Sequence, residues 1–227
     1  MSKCNASTLV PQAPSSLRPK AREALKAARE VFLEAGYDGA TMDAIARAGA
    51  LSKATLYAHF SSKAVLFEEL IRVECRAVNA NLYVPDPQNG SIESELRKVA
   101  INYRRIFAQR EGLDIFRILI PVAPRFPRLA EVFYDEGPGA SIRQIATYLA
   151  ALSDAARVRI PDPDLAAHQF LALVAEDAKL AGALAFPPPR ARDADRLIDS
   201  GVAMFLDFYM ACGAPKTSSC LDGSTRT

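Results

Sequence analysis

The chain has 227 residues, of which half are apolar and 24% are charged, with a formal net charge of +2. A chain of this length buries a core without metals or disulfides, and its composition excludes a disordered protein. Its richest apolar run, 165–186, is broken by His168, Glu176, Asp177 and Lys179, so no membrane span is expected.

Residues 1–17 are rich in Ser, Pro and Gln without periodicity, and the spacing predicts a disordered arm there. Pro19 opens a helix where its missing N–H costs nothing, and Leu25, Ala28, Phe32 and Ala35 form one apolar face. Gly36 ends it. Thr41 is the N-cap of a short helix carrying Ile45 and Ala48, and Ser52 caps another carrying Leu56 and Phe60. Ser61 or Ser62 then caps a longer helix that runs to about Val84, with Leu66, Leu70, Val73 and Ala77 facing inward. Residues 85–90 break the pattern.

Everything beyond the break reads as helix too. One helix runs from Ser91 to about Arg110, and two short ones are punctuated by Pro121, Pro124 and Pro127. A further helix runs from Pro138 to about Arg157. A long one starts at residues 161–164 and stops before Pro187, and the last spans 192–211. Residues 213–227 read as a flexible tail. No run alternates with a period of two, so the expected fold class is all-α.

Cys4, Cys75, Cys212 and Cys220 form no C-x-x-C pair and no histidine lies at metal-ligand spacing from them, so reduced thiols and no metal or cofactor are expected. The first twenty residues lack a secretory core, which leaves the cytoplasm as the expected location. Neither a Gly-rich phosphate loop nor a G-x-S-x-G or H-E-x-x-H motif is present, and no enzyme is expected. Charge is uneven. Residues 1–63 carry nine Lys/Arg against five acids, and the remainder is slightly acidic, as a front with an anionic partner would be.

The two short helices at 41–60 have the helix-turn-helix pattern. A helix entering a major groove about 12 Å wide needs small or hydrogen-bonding side chains outward. Between Ser52 and Phe60 the outward set is Lys53, Ala54, Thr55, Tyr57, Ala58 and His59. Thr41 and Lys63 flank the unit at helix N-termini, where N–H groups and dipoles favour phosphate.

The run Phe32-Leu33-Glu34-Ala35-Gly36-Tyr37, then Thr41-Met42-Asp43-Ala44-Ile45-Ala46, then Ser52 through Lys63, resembles the DNA-binding domain of the tetracycline-repressor (TetR) family. Residues 123–130, with Phe133-Tyr134 and Gly137-Pro138, are similar to the C-terminal domain of its AefR-like branch. The resemblance implies an N-terminal three-helix DNA-binding domain at 18–80 and a larger helical effector-binding and dimerisation domain at 81–212. It also implies a homodimer through the last two helices, a double-stranded operator, and a small-molecule effector. By position, Ser52, Lys53, Thr55, Tyr57 and His59 would meet bases and phosphates, Thr41 and Lys63 would anchor to phosphate, and Arg18 and Lys20 would reach the neighbouring backbone. The sequence departs from the family in the turn, where Gly49 precedes Ala50 rather than the reverse. Either the turn is reshaped or Gly49 absorbs the bend.

For the effector site the candidates are Tyr103, Phe107, Phe116, Phe133, Tyr148, His168 and Phe170, residues that equally suit a core. His168 has a core reading beside its ligand reading. Arg104-Arg105 reads as a solvated face, and the neighbours Glu176-Asp177 diverge by about 100° on a helix and so make no catalytic pair. The expected function is a ligand-responsive repressor that binds a palindromic operator as a dimer. The alternatives are an effector-independent architectural DNA binder and a small-molecule-binding protein of the same fold that has lost its operator.

Overall fold

The structure, a computed structural model, describes residues 18–88, 90–108, 111–155, 157–187 and 190–211. The arm at 1–17, the tail at 213–227, Cys4, Cys212 and Cys220 lie outside them. The described residues form helices without strands: α1 Pro19–Gly39, α2 Met42–Ala48, α3 Lys53–His59, α4 Lys63–Ala80, α5 Ile92–Ala108, α6 Glu111–Leu119, α7 Pro127–Glu136, α8 Pro138–Asp154, α9 Pro163–Ala183 and α10 Ala191–Ala211. None of these is long and apolar enough to cross a membrane.

The start signals act as read. Pro occupies the first turn of α1, α7, α8 and α9. The side chains of Thr41, Ser52, Ser62 and Asp162 each accept a hydrogen bond from the backbone N–H three residues on. Regular helix in α1 ends at Gly36, whose φ of 68° and ψ of 179° suit glycine. The break turns Tyr37 inward, where it stacks on Phe32 with ring centroids 5.9 Å apart. α4 stops at Ala80, short of the expected Val84. Buried Glu95 organises the connection that follows, accepting from Tyr83 Oη at 2.5 Å, Asp86 N at 3.2 Å and Lys98 Nζ at 2.8 Å.

Two apolar cores hold the molecule together. The first unites α1–α4 with α6, α7 and the turn between them. Phe32, Tyr37 and Phe67 are clustered in it, and Phe126 meets the Tyr37 ring edge-on at 5.0 Å. The second is built from α5, α8, α9 and α10, with Phe170 against Phe205 and Phe205 against Tyr209. The first core therefore takes chain from both sides of the 85–90 break.

Arg104 does not join a solvated face. It is only 7% exposed, and its guanidinium donates to both Asp177 oxygens at 2.6 and 2.9 Å and to Val174 O at 2.7 Å. This bidentate pair ties α5 to α9 and holds the Asp177 carboxyl below its usual range. Arg105, its neighbour, is exposed.

Candidate nucleic-acid interface and cavity

α2 and α3 meet through a tight turn. Ala50, not Gly49, takes the left-handed conformation, with φ 49°, while Gly49 sits at φ −84°. Gly49 has another task. A Cβ there would lie 3.1 Å from Ala27 Cβ of α1 and 3.3 Å from Leu51 Cδ1. The glycine permits close helix packing, and the alanine carries a bend that costs about 1 kcal/mol. Gly49 therefore does not absorb the bend; Ala50 does.

Leu56 and Phe60 bury the inner side of α3 in the first core, leaving Ser52, Lys53, Ala54, Tyr57 and Ala58 exposed and Thr55 and His59 half-buried. Tyr57 is 49% exposed, a large aromatic turned to solvent on the outward side. Ser52 Oγ accepts from Thr55 N at 3.0 Å and lies 2.7 Å from Thr55 Oγ1, so both hydroxyls first serve the helix start. Thr41 caps α2 in the same way through Ala44 N at 3.1 Å. Lys53 Nζ rests on Asp43 of α2 at 2.6 Å, an exposed ion pair that spans the two helices. Arg18 is exposed at the start of α1 and shares a shallow hollow with His59, Phe60 and Arg72. Lys20 pairs with Glu23 at 2.7 Å.

Lys63 is placed differently from the other cations. Its Nζ donates to the carbonyls of Tyr37 at 2.6 Å, Ala40 at 2.9 Å and Asp38 at 3.4 Å, and lies 4.6 Å from the centre of the Tyr37 ring. Three protons meet three acceptors, so the side chain fastens α4 to the α1–α2 connection.

A cavity of about 360 Å³ lies between the two cores. α4, α5, α6, α7 and α9 and the start of α8 all contribute to its walls. Of the effector-site candidates, Tyr103, Phe107, Phe116 and Phe133 line it; Phe116 and Phe133 stack at 5.3 Å, and Tyr103 meets Phe107 edge-on at 5.3 Å. The other three candidates do not. Tyr148 and Phe170 are buried inside the second core, taken up by packing between α5, α8, α9 and α10. His168 is neither core nor cavity wall: it faces outward on α9, one residue from the inward-facing Ala167.

Sequence reasoning missed the α4 side of the cavity: Glu74, Cys75, Val78 and Asn79. The signal was there, because Glu74 and Val78 follow inward-facing Leu70 at steps of four. Asn79 Nδ2 donates to Glu136 O at 2.5 Å and its Oδ1 accepts from Ser141 Oγ at 3.0 Å, tying α4 to the α7–α8 junction. Glu136 also accepts from Arg72 at 2.9 Å and from Arg76 at 2.8 Å, and Arg76 foremost holds its carboxyl below the usual range. Burial pushes the Cys75 thiol up to about 12 and the Tyr103 hydroxyl up to about 12, so both stay protonated at neutral pH. Burial also raises the Glu74 carboxyl, against the pull of Arg29 at 3.2 Å.

A polar-faced second helix on an apolar support, beside a larger helical body with an aromatic cavity, has the arrangement of a helix-turn-helix DNA-binding regulator. Residues 24–70 match the model of bacterial regulatory proteins of the tetR family, and residues 94–211 match that of the AefR-like transcriptional repressor C-terminal domain. The chain belongs to the TetR family of transcriptional regulators, in its AefR-like branch.

Similar solved structures include the flavonoid-responsive regulator FrrA, 36% identical, covering 87% of this chain and 98% of that one with a TM-score of 0.78. A TetR-family regulator from Mesorhizobium loti MAFF303099 is 26% identical over 84% of this chain and 96% of that one, with a TM-score of 0.73. Among curated relatives, the HTH-type transcriptional regulator YdeS of Bacillus subtilis (strain 168) is 32% identical over 48% of this chain and 52% of its own. UidR of Escherichia coli (strain K12) is 44% identical over 24% of this chain and 28% of its own. The match thus spans about half the length of YdeS and about a quarter of UidR.

Proposed function

We propose that this regulator is a cytoplasmic repressor that binds a palindromic operator as a homodimer and is released by a small aromatic effector. The observation that carries the reading is the pairing of the exposed α3 face, held on α1 and α2, with an aromatic-lined cavity that α4 helps to wall. In the complex Lys53, Thr55, Tyr57 and His59 meet bases and phosphates, and Thr41, Ser52, Arg18 and Lys20 lie along the flanking backbone. Lys63 contributes chiefly by fixing the start of α4.

The dimer reading is supported by the outward sides of the last two helices. Leu165, Leu173 and Leu180 of α9 and Leu197, Met204 and Phe208 of α10 are exposed at helical spacing, an apolar surface of the kind that marks an interface. Two-fold symmetry then sets half-sites one helical turn apart, or a multiple of it. The stacked Phe116–Phe133 pair and the relation to FrrA support a planar, flavonoid-like aromatic as effector. Such a ligand acts only by binding the released state more tightly than the DNA-bound one.

Anisotropy on labelled DNA from upstream of the protein's own gene tests this. Tight binding that survives scrambled competitor, falls steeply with salt and is reversed by a flavonoid is the expected result. Lys53→Ala with Tyr57→Ala is expected to abolish specific binding. Binding no tighter than to scrambled DNA overturns the operator reading, and binding that ignores every aromatic overturns the effector reading.

A further inference from the structure

The cavity wall is almost wholly apolar, so its few unsatisfied polar groups decide what fits. Asn79 and Ser141 are spent on each other and on the α7–α8 junction. Glu176 and Lys179 pair at 2.9 Å near the rim, where the Glu176 carboxylate is turned to solvent. Glu74 differs. It is only 9% exposed, it lines the cavity, and among the described residues Arg29 is the cation that meets its carboxylate. Even that meeting is poor, because the buried Arg29 Nε, 3.2 Å from Glu74 Oε1, has no aligned hydrogen-bond acceptor among the described residues. Arg29 reaches on to Asp114 of α6 at 3.5 Å, a second carboxylate competing for the same cation. Tyr103, itself buried, lines another wall.

A carboxylate nine-tenths buried and short of donors is a costly group, and it is relieved by a ligand that brings one. We propose that Glu74 is the polar anchor of the cavity, selecting aromatic effectors that carry a hydroxyl or ammonium donor and rejecting those that carry a carboxylate. The proposal rests on the aromatic-effector reading above and names the ligand chemistry within it. A donor on the effector takes the free carboxylate oxygen, while an anion set beside Glu74 meets like charge in a low dielectric. The same side chain touches Arg29 of α1, so recognition in the cavity acts directly on a helix of the DNA-reading head.

Calorimetry on the full chain with three probes of one ring system tests the idea: apigenin, its trimethyl ether, and a flavone bearing a carboxylate in place of the hydroxyls. The wild-type protein is expected to bind apigenin about tenfold or more tighter than the ether, as a hydrogen bond to a charged acceptor gives, and to bind the carboxylate most weakly. In Glu74→Gln the amide both accepts and donates, so the preference for apigenin shrinks and the carboxylate probe gains about tenfold. Because the charged form is the costly one, the neutral isostere is expected to keep the fold, which circular dichroism checks. The wild-type ranking tests the proposal without any variant. Equal affinity for apigenin and its ether, a wild-type preference for the carboxylate, or an unchanged ranking in Glu74→Gln overturns it. Binding of operator DNA but of none of the three probes overturns instead the effector reading on which it rests.

Discussion

The two cores solve packing differently. The first is gathered around one aromatic cluster, with Phe32, Tyr37, Phe67 and Phe126 meeting at 4.7 to 5.9 Å around the base of the reading head. The second takes all its buried residues from beyond the 85–90 break, with Ala166, Ala167 and Ala175 letting α9 lie close to its neighbours and a string of Phe170, Phe205 and Tyr209 toward α10. Their chain segments alternate: α4 belongs to the first, α5 to the second, α6 and α7 to the first, α8 to the second. The cavity lies where they interleave, so an occupant presses on both at once.

The largest effects come from emptying either core. Phe32→Ala and Phe170→Ala are each expected to cost about 3–5 kcal/mol, read by urea unfolding followed at two wavelengths. If interleaving makes the cores one cooperative unit, both variants keep a single transition at a lower midpoint; two separate transitions break that view.

Gly182 probes the seam between the bodies. A Cβ there would fall 2.4 Å from Leu113 Cδ1 and 2.8 Å from Phe107 O, so Gly182→Ala forces α9 away from α5 and α6. A loss of about 1–3 kcal/mol is expected, together with weakened aromatic binding measured by calorimetry. Unchanged effector affinity would show that the cavity tolerates movement at that end.

The Arg72–Glu136–Arg76 cluster sharpens the comparison from within the first body. The folded Glu136 carboxyl sits below its usual value. Its stabilisation is therefore fully present above the unfolded carboxylate pKa, about 4.3, and is lost as pH falls through the lowered folded value. Glu136→Gln is expected to cost about 1–2 kcal/mol at pH 7, nearer the lower figure because Arg76 is half in solvent, and to flatten the acid limb of a melting-temperature profile. A variant whose acid limb matches the wild type would place the sensitivity elsewhere. The smallest effect is at the turn: Ala50→Gly relieves the left-handed alanine and is expected to raise stability by about 0.5–1 kcal/mol in thermal melts.

Much of the fold was legible in the sequence because its punctuation is local. Thr41, Ser52 and Ser62 announce helix starts, and Gly36 and the prolines announce breaks, each through one residue's own geometry. Which aromatics line the cavity was not legible. α9 is apolar nearly all round, so periodicity cannot say that Phe170 turns inward while His168 turns out. Phe116 and Phe133 share a wall through the α6–α7 turn, a long-range placement that no helical spacing encodes. Lys63 looked like a surface cation because its three carbonyl acceptors lie more than twenty residues earlier in the chain. Glu74 hid for the opposite reason, as a charge on an apolar stripe.

The interleaving of the cores also bears on how such proteins recombine. A gene fusion that joins this reading head to a foreign body at the 85–90 break carries over α1–α4 but leaves Ile115, Leu119, Val122, Leu129 and Val132 behind. The transplanted head then presents an apolar flank cut to the shape of a partner it no longer has, with Tyr37 missing Phe126 and Asp38 missing Arg125. On the reading proposed above, in which α3 meets the operator, new specificities are therefore reached more readily by changing the outward residues of α3 than by exchanging whole heads.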